Sequence, residues 1–339
     1  MERYKVLSRY CLSVLSVLLT SCNRAQQYFP QQIEAVQVDI VRFDKALLGV
    51  RTDSVMQDVS RLYTDYDEFM PLFVEGVLGL DPNDTAYLCE QLVQFLADTT
   101  AGFAQTNIRT EETFADISRL QEKLDIGFAR VHYLYPQVDI PVVYLFVSGF
   151  NASVFYYDDM VGVGLDMYLG SDYPYYNQVV YEYQKQTMRP ECIAADVMSI
   201  FVAQHTPYTS KYNRLIDNMI YRGKQMWLLQ QLLPMEPNYE IIGYSKAQWE
   251  WCEQYERAIW NKMMDKRDLF KTESSILTSY MNDGPFTAEI SQDSPGRLGT
   301  WMGWRIVDSY MRHNPDVTIQ QLMTEGDAQS VLENSYYKP

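Results

Sequence analysis

"IPVVYLFVSGFNASVFYYDDMVGVGLDMYLG", residues 140–170, decides the fold. Residues 140–150 are β-branched and aromatic and close on Ser148-Gly149, the composition of a strand ended by a turn. Further short β-like runs follow up to residue 170, so a small sheet of three or four strands is expected here. Upstream, "AVQVDIVRFD" at residues 35–44 alternates, with Val36, Val38 and Ile40 on one face, and reads as a first strand. Residues 45–135 are mostly helical: "DTAYLCEQLVQFLAD" (84–98) and "TEETFADISRLQEKLDIGFARVHYLYP" (110–136) carry apolar residues three and four apart. Thr110 to Phe114 reads as a capped helix start.

Helices return after Pro190. "PECIAADVMSIFVAQH" (190–205) is apolar on most sides, with Ile193, Val197, Ile200 and Phe201 on one stripe, so it is a buried helix. A long helix over 211–234 follows with Gly223 inside it. Ser245 to Gln248 forms a capping box for the next, which turns Trp249, Cys252, Ile259 and Trp260 inward. Ser294-Pro295 reads as N-cap and first-turn proline of a last long helix, where Gly299 and Gly303 lie four apart and predict a close helix neighbour. The fold class is α+β, mostly helical around a small central mixed sheet. The domain plan is a signal segment over 1–21, a lipidated tether over 22–33 and one α+β domain over 34–339.

The N-terminus reads as an address. Arg3, Lys5 and Arg9 precede "CLSVLSVLL" (11–19), which is too short to span a bilayer. Leu19-Thr20-Ser21-Cys22 then has the form of a lipobox, whose cysteine is acylated. Each buried methylene contributes about 0.8 kcal/mol, so two or more acyl chains anchor almost permanently. Residue 23 is Asn, not the Asp of inner-membrane retention, and residues 23–32 lack an acidic export cluster. The expectation is an outer-membrane lipoprotein facing the periplasm. The net charge of −16 argues against a nucleic-acid partner. Of five cysteines, Cys89, Cys192 and Cys252 remain beyond Cys22; they lack C-x-x-C spacing and read as buried thiols.

Tests for chemistry fail in turn. The three histidines, His132, His205 and His313, make no H-E-x-x-H, and no cofactor is implied. His205, ending its helix, is expected to meet the helix carboxyl end. There is no G-x-S-x-G, P-loop or complete dinucleotide motif. Asp158, Asp159, Asp166 and Asp172 interleave with tyrosines. They read either as turn acids bonding backbone amides or as a sugar-binding or glycan-hydrolysing surface.

"VSGFN", "GVGLDMYLGSDYPYY", "IGYSKAQWEWCEQYERAIW", "GPFT", "SPGRLGTWMGWRIVDSYM" and the closing "NSYYKP" resemble the GldB-type gliding-motility lipoproteins of Bacteroidetes, from about residue 40 to 339. The resemblance implies a place beside the gliding and type IX secretion apparatus, an envelope protein partner and no carried-over enzymatic activity. The order of elements is also distantly similar to gluzincin-like zinc metallopeptidases. That similarity implies a degenerate zincin-like scaffold, its metal-site positions falling at Ala195, Asp196, Ser199 and Arg222 with the ligands lost; a buried helix with small residues explains the same stretch. It further implies that residues 161–165 are an edge strand. Asp166, Tyr168, Asp172, Tyr173 and Arg297 are assigned to a groove that could hold a peptide or partner segment without cutting it.

Overall fold

The structure, a computed structural model, describes residues 28–97 and 102–339. Cys22, the signal segment and the first part of the tether lie outside the described residues. The body of the protein is Ile33–Pro339.

In chain order the elements are β1 (Ile40–Val41), α1 (Phe43–Leu48), α2 (Val55–Asp65), α3 (Phe69–Leu72, running into a π-turn at Phe73–Val77), α4 (Thr85–Ala97), α5 (Phe103–Thr113) and α6 (Ser118–Leu134). Then come β2 (Val142–Phe146), β3 (Val154–Tyr157), β4 (Met160–Gly164) and α7 (Tyr176–Val179). The helical remainder is α8 (Ile193–His205), α9 (Leu215–Leu232), α10 (Asn238–Ile242), α11 (Lys246–Asp265), α12 (Ser274–Met281), α13 (Leu298–His313), α14 (Ile319–Thr324) and α15 (Ala328–Asn334). This is the α+β architecture expected, helical around a small mixed sheet.

The sheet order is β1-β2-β4-β3, with β1 and β4 parallel to β2 and β3 antiparallel to β4. The edge-strand expectation is therefore corrected. Residues 160–164 are interior, and the edges are β1 and β3. The physical reason lies in burial: every residue of β4 is buried, the continuous pattern of a strand covered on both faces, whereas β3 is half-buried and ends exposed. A tight turn at Asp158, with φ of +46°, folds β3 back along β4.

Gly162 stands opposite Tyr144 on one side and Phe155 on the other. A Cβ there would sit 2.3 Å from the Phe155 ring, so glycine lets that ring lie flat on the sheet. Phe69 stacks on Tyr144 at 4.1 Å and also faces Phe155, and the edge contacts of Phe43 and Phe73 complete an aromatic core. Each fully buried ring contributes about 2–3 kcal/mol. The opposite face of the sheet is covered by α8. Phe201 of α8 meets Phe128 of α6 edge-on at 5.0 Å.

The first strand is shorter than its alternation suggests. Val38 is buried, but its N–H donates to Asp125 Oδ1 (2.8 Å) and its carbonyl accepts from Gln121 (2.8 Å). Side chains of α6 satisfy the backbone that a strand partner would otherwise take. Thr110 is not a helix start either: α5 ends at Thr113, with Thr110 Oγ1 bonded back to the Thr106 carbonyl. The new helix opens past Asp116, which accepts from Ser118 N–H. Nor does Ser294 cap α13; Ser294 Oγ instead accepts from Thr287 N–H, and Arg297, with φ of +56°, leads into the helix. The capping box at Ser245 is formed reciprocally with Gln248.

Candidate functional site

Beside the packed helices α8 and α9, a cleft of about 750 Å³ opens. Its floor carries Asp196 and Ser199 from α8 and Arg222 and Met226 from α9. Both pairs sit at i, i+3 or i, i+4, so each helix turns two residues to the same side. Met167 and Tyr168 enter from the turn after β4, and Ser153, just before β3, lines the cleft beside them.

One wall is built by three separate loops. Gly243 has φ of +72° and turns the chain so that Tyr244 can donate to the Gly296 carbonyl (2.5 Å). Gly296 lies so close to Gly284 that a Cβ would stand 2.5 Å from its carbonyl oxygen. Arg297 ties the loops together, donating to the Ile242 carbonyl (2.5 Å) and pairing with Asp283 (2.7 Å). The stretches "IGYS", "GPFT" and "SPGR" thus converge on one surface. Tyr181 and Tyr183 stack at 5.9 Å, Tyr183 on the cleft and Tyr181 73 % exposed beside it.

At the centre, Tyr168 donates its hydroxyl to Asp196 Oδ2 at 2.8 Å. Burial pushes the Asp196 carboxyl up to about 6, while that hydrogen bond and the charge of Arg297 draw it down and Asp283 draws it up. Burial, and then the neighbouring Asp196, push the Tyr168 phenol well above its ordinary range.

The structure brings Tyr168, Asp196, Ser199, Arg222 and Arg297 onto this cleft and leaves the other candidates elsewhere. Ala195 is 2 % exposed and does not line the cleft. Asp166 is buried and accepts backbone N–H from Ser148 (3.0 Å) and Phe150 (2.7 Å), so it holds a turn. Asp172 lies on an adjoining cavity of about 680 Å³. Tyr173 is bonded to Thr106 (2.7 Å) on α5. Asp166, Asp172 and Tyr168 therefore do not form the joint acid and aromatic surface that a glycan site would use. Sequence reasoning missed Tyr244, Asp283 and Gln225; the left-handed glycine before Tyr244 was the one local signal.

Asp196, Ser199 and Arg222 supply one carboxylate, one hydroxyl and one cation, which do not fit a divalent ion. Among the described residues no three His, Cys, Asp or Glu are grouped to hold one. His205 and His313 each place Nδ1 2.8 Å from a carbonyl of their own helix, at Phe201 and Ser309. Cys89, Cys192 and Cys252 are free, buried thiols.

Fold and cleft together define a mostly helical α+β domain with a polar, loop-walled cleft; among the described residues no helix is long and apolar enough to cross a membrane. Residues 25–339 match the sequence model of a family described as "Gliding motility protein GldB", and the chain belongs to that family. It is a gliding-motility-associated lipoprotein of the cell envelope. No curated protein and no solved structure matches the chain. The likeness to zinc metallopeptidases is not supported: no solved structure carries it, and the strand it assigns to the edge is interior.

Proposed function

We propose that this protein is a non-catalytic lipoprotein, fixed to the outer membrane through acylated Cys22 and facing the periplasm. Its cleft holds a peptide-like segment of an envelope protein partner. The observation that carries this reading is what faces the cleft: hydrogen-bonding side chains and apolar ones side by side, without a nucleophile and base in contact. Ser199 has no general base bonded to it, and the Asp196 carboxylate is already engaged by Tyr168. The outer edge of β3 is paired with no strand among the described residues, and Ser153 before it lines the cleft. An extended segment could add to that edge by backbone hydrogen bonds.

The test uses full-length protein in detergent micelles and a fluorogenic peptide library. Binding without turnover, unchanged by added zinc, is the expected result; hydrolysis proportional to protein concentration would overturn the non-catalytic reading. In cells, Cys22→Ala is expected to lose labelled palmitate and leave the outer-membrane fraction. Retention of the variant there would sink the anchoring.

A further inference from the structure

Two guanidinium groups line the cleft, and they differ in one respect. Arg297 is committed to Asp283, the Ile242 carbonyl and the ring of Tyr244. Arg222 is exposed, and among the described residues its polar and ring contacts are with neutral groups: Gln225 Oε1 at 3.0 Å and the face of Tyr221 at 5.6 Å. Although the chain carries a net charge of −16, no acid among the described residues pairs with it.

Arg222 is nonetheless held in place. Gln225 is 3 % exposed, and its Nε2 donates to Thr206 Oγ1 at 2.9 Å. Thr206 Oγ1 in turn donates to the Val202 carbonyl at 2.6 Å. This chain of donors leaves the Gln225 amide oxygen only one direction, towards Arg222. A partly buried polar chain thus ends on a positioned, solvent-facing guanidinium whose remaining N–H groups meet no acceptor among the described residues. Such a fork matches an oxyanion in two hydrogen bonds.

We propose that Arg222 anchors a single carboxylate of the segment held in the cleft, either an Asp or Glu side chain or a C-terminal carboxylate. The inference rests on the peptide-holding reading above. Met226, one turn along from Arg222, and Met188 and Ile241 on the wall receive apolar neighbours of the acid.

The experiment is fluorescence anisotropy with the full chain in micelles and labelled decapeptides of Ala, Leu and Val. Four sets are compared: central Glu against central Gln, and free C-terminus against C-terminal amide. One acidic set is expected to bind about tenfold more tightly than its neutral match, and which set does so identifies the source of the carboxylate. Arg222→Gln is expected to abolish the difference, and Arg222→Lys to keep part of it. Equal binding of acidic and neutral sets, or a difference that survives Arg222→Gln, overturns the inference while leaving the peptide-holding reading in place. Absence of binding by every set overturns both. Displacement by inorganic phosphate but not by acetate would also overturn the carboxylate assignment.

Discussion

Gly223 of α9 and Gly303 of α13 meet backbone to backbone. A Cβ at Gly223 would stand 2.3 Å from the Gly303 carbonyl carbon, and one at Gly303 would stand 1.8 Å from the Met219 carbonyl oxygen. Among the described residues these two helices form the most extensive helix pair, and α9 also carries Arg222 to the cleft. Gly299 has a different neighbour, with Tyr280 and Met281 of α12 against it.

Gly303→Ala must separate two buried helices, because the obstructing atoms are backbone. A loss of about 2–3 kcal/mol is expected, read as a lower urea midpoint with an unchanged slope. Gly326→Ala, where nothing lies within 4 Å of the added carbon, serves as control and should stay close to the parent. Equal midpoints for the two variants would contradict the close approach.

Asp196 makes stability depend on pH in a stated direction. Its folded carboxyl titrates near 6, above the unfolded value of about 3.9, so between these values the folded state holds the extra proton. Its contribution is therefore present at low pH and is lost as pH rises from about 4 to about 6. Asp196→Asn should be as stable as the parent at pH 4 and more stable, by up to about 2 kcal/mol, at pH 7.5. A gap that widened towards acid would show the sign to be wrong. Tyr168→Phe removes the hydroxyl that stabilises the carboxylate, so the Asp196 titration followed by carbon NMR should move further up.

Asp166 stabilises a strained turn. Gly149 and Phe150 both have positive φ, +67° and +66°, and the carboxylate accepts the N–H groups of Ser148 and Phe150. Asp166→Ala leaves buried donors without acceptors and should cost about 2–4 kcal/mol, while Asp166→Asn should cost less. Hydrogen exchange at the Phe150 amide checks the mechanism: protection there should fall before protection in β2.

The C-terminus closes the fold. Tyr337 donates to Glu256 Oε1 (2.7 Å), which also receives Arg305 (2.9 Å), and its ring meets Trp260 edge-on at 5.2 Å. Ser309 Oγ donates to the Ser335 carbonyl (2.8 Å). Tyr337→Phe should cost about 1 kcal/mol. Truncation before Ser335 should cost more, since ring contact and hydrogen bonds go together; thermal unfolding ranks the two. Equal stability of truncated and full chains would remove the closing role.

Much of the helical fold was legible because amphipathic spacing and caps are local. Ser245-Lys246-Ala247-Gln248 announced α11, and the reciprocal bonds to Gln248 follow from four adjacent residues. The buried stripe of α8 and the carboxyl-end contact of His205 were likewise readable. Errors arose where a distant group replaced a local partner. Val38 looks like strand, yet Asp125 and Gln121 take its hydrogen bonds. Ser294-Pro295 looks like a cap, yet Thr287 takes the hydroxyl. Strand order escaped because β4 pairs on both sides, and an alternation rule cannot tell an interior strand from an edge.

The sequence by itself determined the class of fold, the family and the residue types available for chemistry, because propensity, periodicity and motif spacing are written along the chain. Tertiary structure alone decided which of those residues share a cleft. Tyr168, Asp196, Arg222 and Arg297 are spread over some 130 positions. They meet because helices cross at glycine backbones and loops fold back on one another, and those contacts depend on distance in space rather than on order in the chain.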